Sequence, residues 1–143
     1  MMQQQQPTHL EQTINDGVIK RTPMSEGYIL MTQRGVFYYN FDGVLHRTDG
    51  PAAEYVARGR CVARREWHVQ GKLHRVDAPA VEYADGTWAY WVDGERHCET
   101  GPAVVYPNGD RGWYSHGRYM TEAAFVEMLK IEQETREFFS QNA

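Results

Sequence analysis

GKLHRVDAPAVEYADG, residues 71–86, has two companions in the chain: GVLHRTDGPAAEY from Gly43 and GERHCETGPAVVYPNG from Gly94. A truncated fourth copy, GRYM, starts at Gly117. Gly71, Gly94 and Gly117 are 23 residues apart. The step from Gly43 to Gly71 is 28, so the first unit carries five extra residues within VARGRCVARRE. Three further columns keep the same steps: His46, His74 and His97; Pro51, Pro79 and Pro102; Tyr55, Tyr83 and Tyr106. A fixed period of this length marks a chain built from small units that stack and complete one another's cores.

Each unit reads as a β-hairpin with a connecting turn. Tyr39, Trp67, Tyr90 and Trp113 stand four residues before the unit glycines, and Phe41, Val69, Val92 and Ser115 stand two before. Strand alternation puts both sets on one half-buried face. Asn40, His68, Trp91 and Tyr114 then fall on the opposite face, which predicts an outward stacking or docking surface at Trp91 and Tyr114. Asp42-Gly43 and Asp93-Gly94 supply turn chemistry, and Asp85-Gly86 and Asn108-Gly109 close the next hairpins. The column prolines suit the first residue of a strand, where a missing N–H does no harm. Upstream, Tyr28–Thr32 and Val36–Phe41 flank Arg34-Gly35 as a leading half-unit. The expected fold is mainly β: an antiparallel meander of hairpin repeats, about eight short strands in all, with a C-terminal capping α-helix. That helix is expected from Glu122 to about Phe139, behind Thr121 as N-cap. Three regions follow: a flexible N-terminal segment at 1–24 that includes the solvated Gln run, a repeat domain at 25–120, and the helix and tail at 121–143.

The cadence His-Arg-x-Asp-Gly-Pro-Ala, HRTDGPA at 46–52 and HRVDAPA at 74–80, resembles the short-repeat proteins of tailed phages. Those are similar to MORN-type hairpin repeats, and many end in a short helix, as TEAAFVEMLK at 121–130 does here. The resemblance covers roughly residues 28–130. It implies a MORN-like platform and a phage-encoded accessory protein of the host bacterial cytoplasm, and it implies no particular activity. The third unit departs from the cadence, with Cys98 in place of the Arg and Thr100 in place of the Asp. The second has Ala78 for the turn glycine.

Fifteen Lys and Arg against nineteen Asp and Glu leave a net charge of −4, which argues against a general coat for double-stranded nucleic acid. No run reaches the roughly 18 apolar residues of a membrane helix. The start, Met1-Met2-Gln3, lacks the basic and apolar regions of a secretory leader, so a cytoplasmic location is expected. Two cysteines, Cys61 and Cys98, are too few for a disulfide framework or a four-thiolate zinc site. His46 with Asp49 and His74 with Asp77 have the residue types of acid–base pairs. A residue repeated once per unit is nonetheless what a structural ladder requires, bonding its own Asp or a neighbouring backbone carbonyl. Equivalent strands two spacings apart put column histidines about 10 Å from one another, too far to share a metal ion. With no convergent nucleophile, base and electrophile, the expectation is a protein without catalytic residues, metal or cofactor.

Binding is the class that remains. Arg58, Arg60, Arg64, Arg65, Lys72 and Arg75 face only Glu66 within 58–75, a local charge of +5 where the rest of the chain carries −9. Such a cluster suits an acidic partner surface or a phosphorylated ligand. Together with His68, Trp91 and Tyr114 these residues form the candidate site. The leading expectation is an accessory protein that binds and inhibits or redirects a host protein, for instance a bacterial defence component. The alternatives are a binder that sequesters a small phosphorylated or nucleotide signal, and a structural module whose open sheet edges pair between copies as a homo-oligomer.

Overall fold

The computed structural model describes residues 5–142. Of the Gln run read as a solvated tail, only Gln5 and Gln6 lie within them, both exposed. A short helix, α1 (His9–Asn15), opens the fold and is followed by β1 (Val18–Met24), β2 (Gly27–Thr32), β3 (Gly35–Asn40), β4 (Ala53–Tyr55) and β5 (Arg64–Glu66). Next come β6 (His68–Val69), β7 (Lys72–Leu73), β8 (Val81–Tyr83), β9 (Trp88–Ala89), β10 (Trp91–Val92), β11 (Glu95–Arg96) and β12 (Val104–Val105). The chain ends with β13 (Arg111–Ser115), β14 (Arg118–Met120) and α2 (Glu122–Gln141). The mainly β antiparallel meander with a C-terminal helix is therefore as the repeat predicts. Residues 9–24, assigned to the N-terminal segment from sequence, form α1 and β1.

Ten strands make one sheet in the order β1-β2-β3-β4-β5-β8-β9-β12-β13-β14, while β6–β7 and β10–β11 form separate two-stranded ladders. The strands outnumber the expected eight in part because two units break at their aromatic, Trp67 and Tyr90. Trp67 N–H still bonds Ala80 O in the sheet, but Trp67 O already accepts from His74 N–H in the hairpin. Tyr90 does the same between Ala103 and His97. Each hairpin thus branches off the sheet at that residue.

Register fixes which side chains share a face. Leu30, Phe37, Ala53, Glu66, Val81, Ala89, Val104 and Gly112 are successive partners across seven strand pairs and line one face. Val36, Glu54, Arg65, Glu82, Trp88, Val105 and Arg111 line the other. Over the first part of the first face α1 is the cover: Leu10 packs against the buried cluster of Leu30, Phe37, Tyr39, Leu45, Ala52 and Ala53. Thr8 and Glu11 close a reciprocal capping box that lets so short a helix start cleanly. Val81, Ala89 and Val104 form a second cluster on the same face, with Leu73, Trp91 and Tyr114 against it. Among the described residues, no helix covers this second cluster as α1 covers the first. α2 starts behind Thr121, whose hydroxyl accepts from Ala124 N–H, and anchors through fully buried Phe125 against the β13 end.

Two sequence expectations about faces are corrected. Trp91 and Tyr114 turn inward and are half-buried on the core face, because they stand two residues after Ala89 and Gly112, which the register places on that face. In the first unit the aromatic column is displaced by one. Tyr38, not Tyr39, donates to the Ala52 carbonyl as Trp67 does to Ala80, since this turn holds an extra residue between Asn40 and Val44. The extra residue leaves Phe41 exposed at 74% rather than half-buried.

Candidate ligand-binding groove

The column histidines hold the units together. His46 Nδ1 accepts from Gln70 N–H at 3.0 Å, His74 Nδ1 from Asp93 N–H at 3.1 Å and His97 Nδ1 from His116 N–H at 3.0 Å. Every acceptor reaches the turn of the following hairpin, so the bond joins neighbouring units, not the His to its own Asp or to a carbonyl. Each donor residue has positive φ (Gln70 50°, Asp93 50°, His116 46°) and precedes a glycine near 80°, the two-residue type I′ hairpin turn. The turn glycines complete the stack: Gly71, Gly94 and Gly117 donate to Leu45 O, Leu73 O and Arg96 O of the preceding hairpin. Asp49 instead pairs with Arg47 at 2.8 Å. Among the described residues, no cluster of three or more His, Cys, Asp and Glu is arranged to hold a metal ion.

The uncovered half of the core face forms a groove of about 560 Å³. Its floor is Val81, Ala89 and Val104, and the hairpin ladders supply Leu73, Trp91 and Arg96 as one wall. Tyr83 and Tyr106 line it as well, 37% and 45% exposed. Towards α1 stand Arg64 and Glu66, ion-paired at 2.7 Å, with His68 Nε2 donating to the other Glu66 oxygen at 2.9 Å. Burial works to raise the Glu66 carboxyl, but the hydrogen bonds from His68 and Arg64 outweigh it and hold it below the usual range. Arg64 also stacks on Tyr55, 3.8 Å from the ring centroid.

Arg96 differs from the other inward cation. Its guanidinium lies over Trp91 and Tyr114, 5.1 and 5.0 Å from their centroids, and reaches the Tyr114 hydroxyl at 3.4 Å. Among the described residues it has no carboxylate partner, and its Nε is buried without a hydrogen bond. A guanidinium set in apolar and aromatic walls without a counter-charge is a natural seat for an anion. The other buried nitrogen without a partner is His68 Nδ1.

The cations of 58–75 do not gather on one surface. Arg64 and Arg65 are neighbours in β5 and so point to opposite faces. Arg65 pairs with Glu82 at 2.9 Å, and Arg75 reaches the other Glu82 oxygen at 3.2 Å. Arg75 also donates to Pro79 O and stacks 3.8 Å over Trp67, as Arg47 donates to Pro51 O and stacks over Tyr38. The Arg of the repeat motif therefore braces its own unit. Arg58 and Arg60 sit exposed in the long β4–β5 loop, where Arg58 and Cys61 exchange backbone bonds, and Lys72 is exposed on β7. All five extra residues lie in that loop, since Tyr55 pairs with Arg64 whereas Tyr83 and Tyr106 bond Thr87 and Asp110 four residues on.

Of the residues singled out from sequence, Arg64, Trp91 and, behind Glu66, His68 come together at the groove; Tyr114 backs Arg96. Leu73, Val81, Tyr83, Ala89, Val104, Tyr106 and Arg96 were not singled out as a site. One signal for Arg96 is visible in the repeats: the residue before the column His is Leu45, then Leu73, then Arg96. Charge replaces an aliphatic at a core column. No family model, no curated protein and no solved structure matches this chain.

Proposed function

We propose that the chain is a non-enzymatic binding protein of phage type that captures a host protein through the open groove, and so inhibits or redirects it. The observation that carries this reading is an apolar floor on the same face as the one α1 covers, left open beside an arginine that has no counter-charge among the described residues. An apolar, water-exposed trough on an otherwise satisfied sheet marks a place where another molecule docks. Glu66, a half-buried carboxylate at the groove, is held ionised by Arg64 and His68 and accepts hydrogen bonds only. The phage assignment rests on the motif cadence. The test is affinity capture from bacterial lysate with the wild-type chain and with Tyr106→Ala/Arg96→Gln side by side. A stoichiometric protein retained by the first and lost by the second supports the reading; the same yield from both overturns it.

A second reading has its own support. Trp91 beside Arg96 and Arg64 offers an aromatic wall and cations to a nucleotide-like signal, and a 560 Å³ groove suits a ligand of that size. A rise in melting temperature with phosphorylated nucleotides, absent in Arg96→Gln, would favour sequestration of a small ligand over capture of a protein.

A further inference from the structure

We infer that the groove is built to take a short helix bearing a carboxylate, contributed by a partner protein and seated as α1 is seated one unit earlier. This rests on the groove being the binding site and names what fills it. The repeat supplies the argument, because equivalent positions can be read across units. On the first unit α1 lies over the cluster that holds Tyr39, Leu45 and Ala53: His9 bonds the Tyr39 and Tyr55 hydroxyls at 2.7 Å each, Thr13 bonds Tyr39 at 2.6 Å, and Leu10 packs against that cluster. The same columns read His68, Leu73, Val81 and Tyr83 in the second unit and Trp91, Arg96, Val104 and Tyr106 in the third. Those two sets flank one trough. Tyr55 is half-buried beneath α1, while Tyr83 and Tyr106 of the same column are exposed. The tyrosine of the α1 footprint is thus repeated with no helix on it among the described residues, while the Tyr39 position is taken by His68 and Trp91.

One difference sets the occupant's chemistry. Where Leu45 belongs to the buried apolar cluster that Leu10 of α1 packs against, the third unit presents Arg96 without a carboxylate partner among the described residues. Arg64 is already neutralised by Glu66, and Asp85 holds Thr87 N–H through its own carboxylate, so Arg96 is the charge left to answer. The matching helix carries a polar residue, an aliphatic next to it and another polar residue one turn on, as His9, Leu10 and Thr13 do, with an Asp or Glu reaching Arg96.

The test is selection of helix-constrained peptides from a displayed library on the full-length chain, with counter-selection on Tyr83→Ala/Tyr106→Ala. Both tyrosines are exposed, so that variant keeps its fold; circular dichroism and melting check this. Expected are amphipathic peptides with an acidic residue whose affinity drops about tenfold on Arg96→Gln and less on Arg96→Lys, the loss of one charge-assisted bond. Groove-dependent peptides without an acidic residue, or indifferent to Arg96→Gln, would overturn the inference while leaving the groove as the site. No groove-dependent peptide at all would overturn both. A sedimentation mass of two chains that falls to one in the tyrosine variant would make a second copy the occupant, and would overturn the partner helix.

Discussion

A hydrogen bond from a turn N–H to an imidazole Nδ1 requires that nitrogen to be unprotonated, and this chain uses it three times, at His46, His74 and His97. Burial, with the stacked His116 ring 4.1 Å away, pushes His97 below its ordinary range, and burial also lowers His9 between its two tyrosines. A histidine lowered in the folded state makes a contribution that is complete above about pH 6.5 and is lost as the pH falls below it, because the unfolded chain takes the proton first. The melting temperature should be flat above neutrality and decline towards pH 5. His97→Asn, whose Oδ1 sits where Nδ1 does, should make that decline shallower; an unchanged slope would refute the assignment. The donors on the other side of these bonds are strained. Gln70 holds φ 50° without the local hydrogen bonding that lets Asn or Asp tolerate it, so Gln70→Gly should stabilise by about 0.5–1 kcal/mol in chemical denaturation. His74→Ala, which strands the Asp93 N–H, should cost about 1 kcal/mol.

The two helices are held in different ways, and truncation separates them. α1 is tied down by His9, Leu10 and Thr13, and burial beneath it pushes the Tyr39 and Tyr55 hydroxyls up to about 12. Leu10→Ala should cost about 1–2 kcal/mol, below the full cavity penalty because the side chain is only partly buried. α2 is anchored at one point. Phe125→Ala should cost roughly 3–4 kcal/mol, whereas ending the chain after Lys130 should change stability by less than about 1 kcal/mol. The reason is that Ile131, Phe138 and Phe139 are all more than half exposed. Equal losses from both changes would show that the distal helix packs more firmly than its exposure indicates. The strand pattern was legible from the glycine, histidine, proline and tyrosine columns, and Thr121 marked the start of α2. α1 was not legible, because seven residues with a single aliphatic contact give no helical period to read.

Taken whole, the molecule is a repeat sheet in which one face is closed over its first unit and open over the next two. Sequence periodicity carried the meander and even the position of the insertion, because spacing survives any error in local geometry. It did not carry the facing of Trp91 and Tyr114, since the large aromatics four residues before the glycines suggest the opposite face, and only the register of Ala89 and Gly112 shows which face is buried. Nor did it carry the fate of the basic cluster: Arg65 and Arg75 are drawn to Glu82, and only register reveals that pairing. The groove was half legible, through Trp91 and Arg64, while Arg96 shows only as the odd member of the Leu45–Leu73–Arg96 column. If the open units form the binding surface, occupancy must be felt at Tyr83 and Tyr106 and not at Tyr55, which α1 already covers. The most direct measurement is chemical footprinting of these tyrosines on the chain in complex with a protein it retains from lysate, compared with the free chain. Protection of Tyr83 and Tyr106 with Tyr55 unchanged is the predicted result; full reactivity of Tyr83 and Tyr106 in the complex would contradict it.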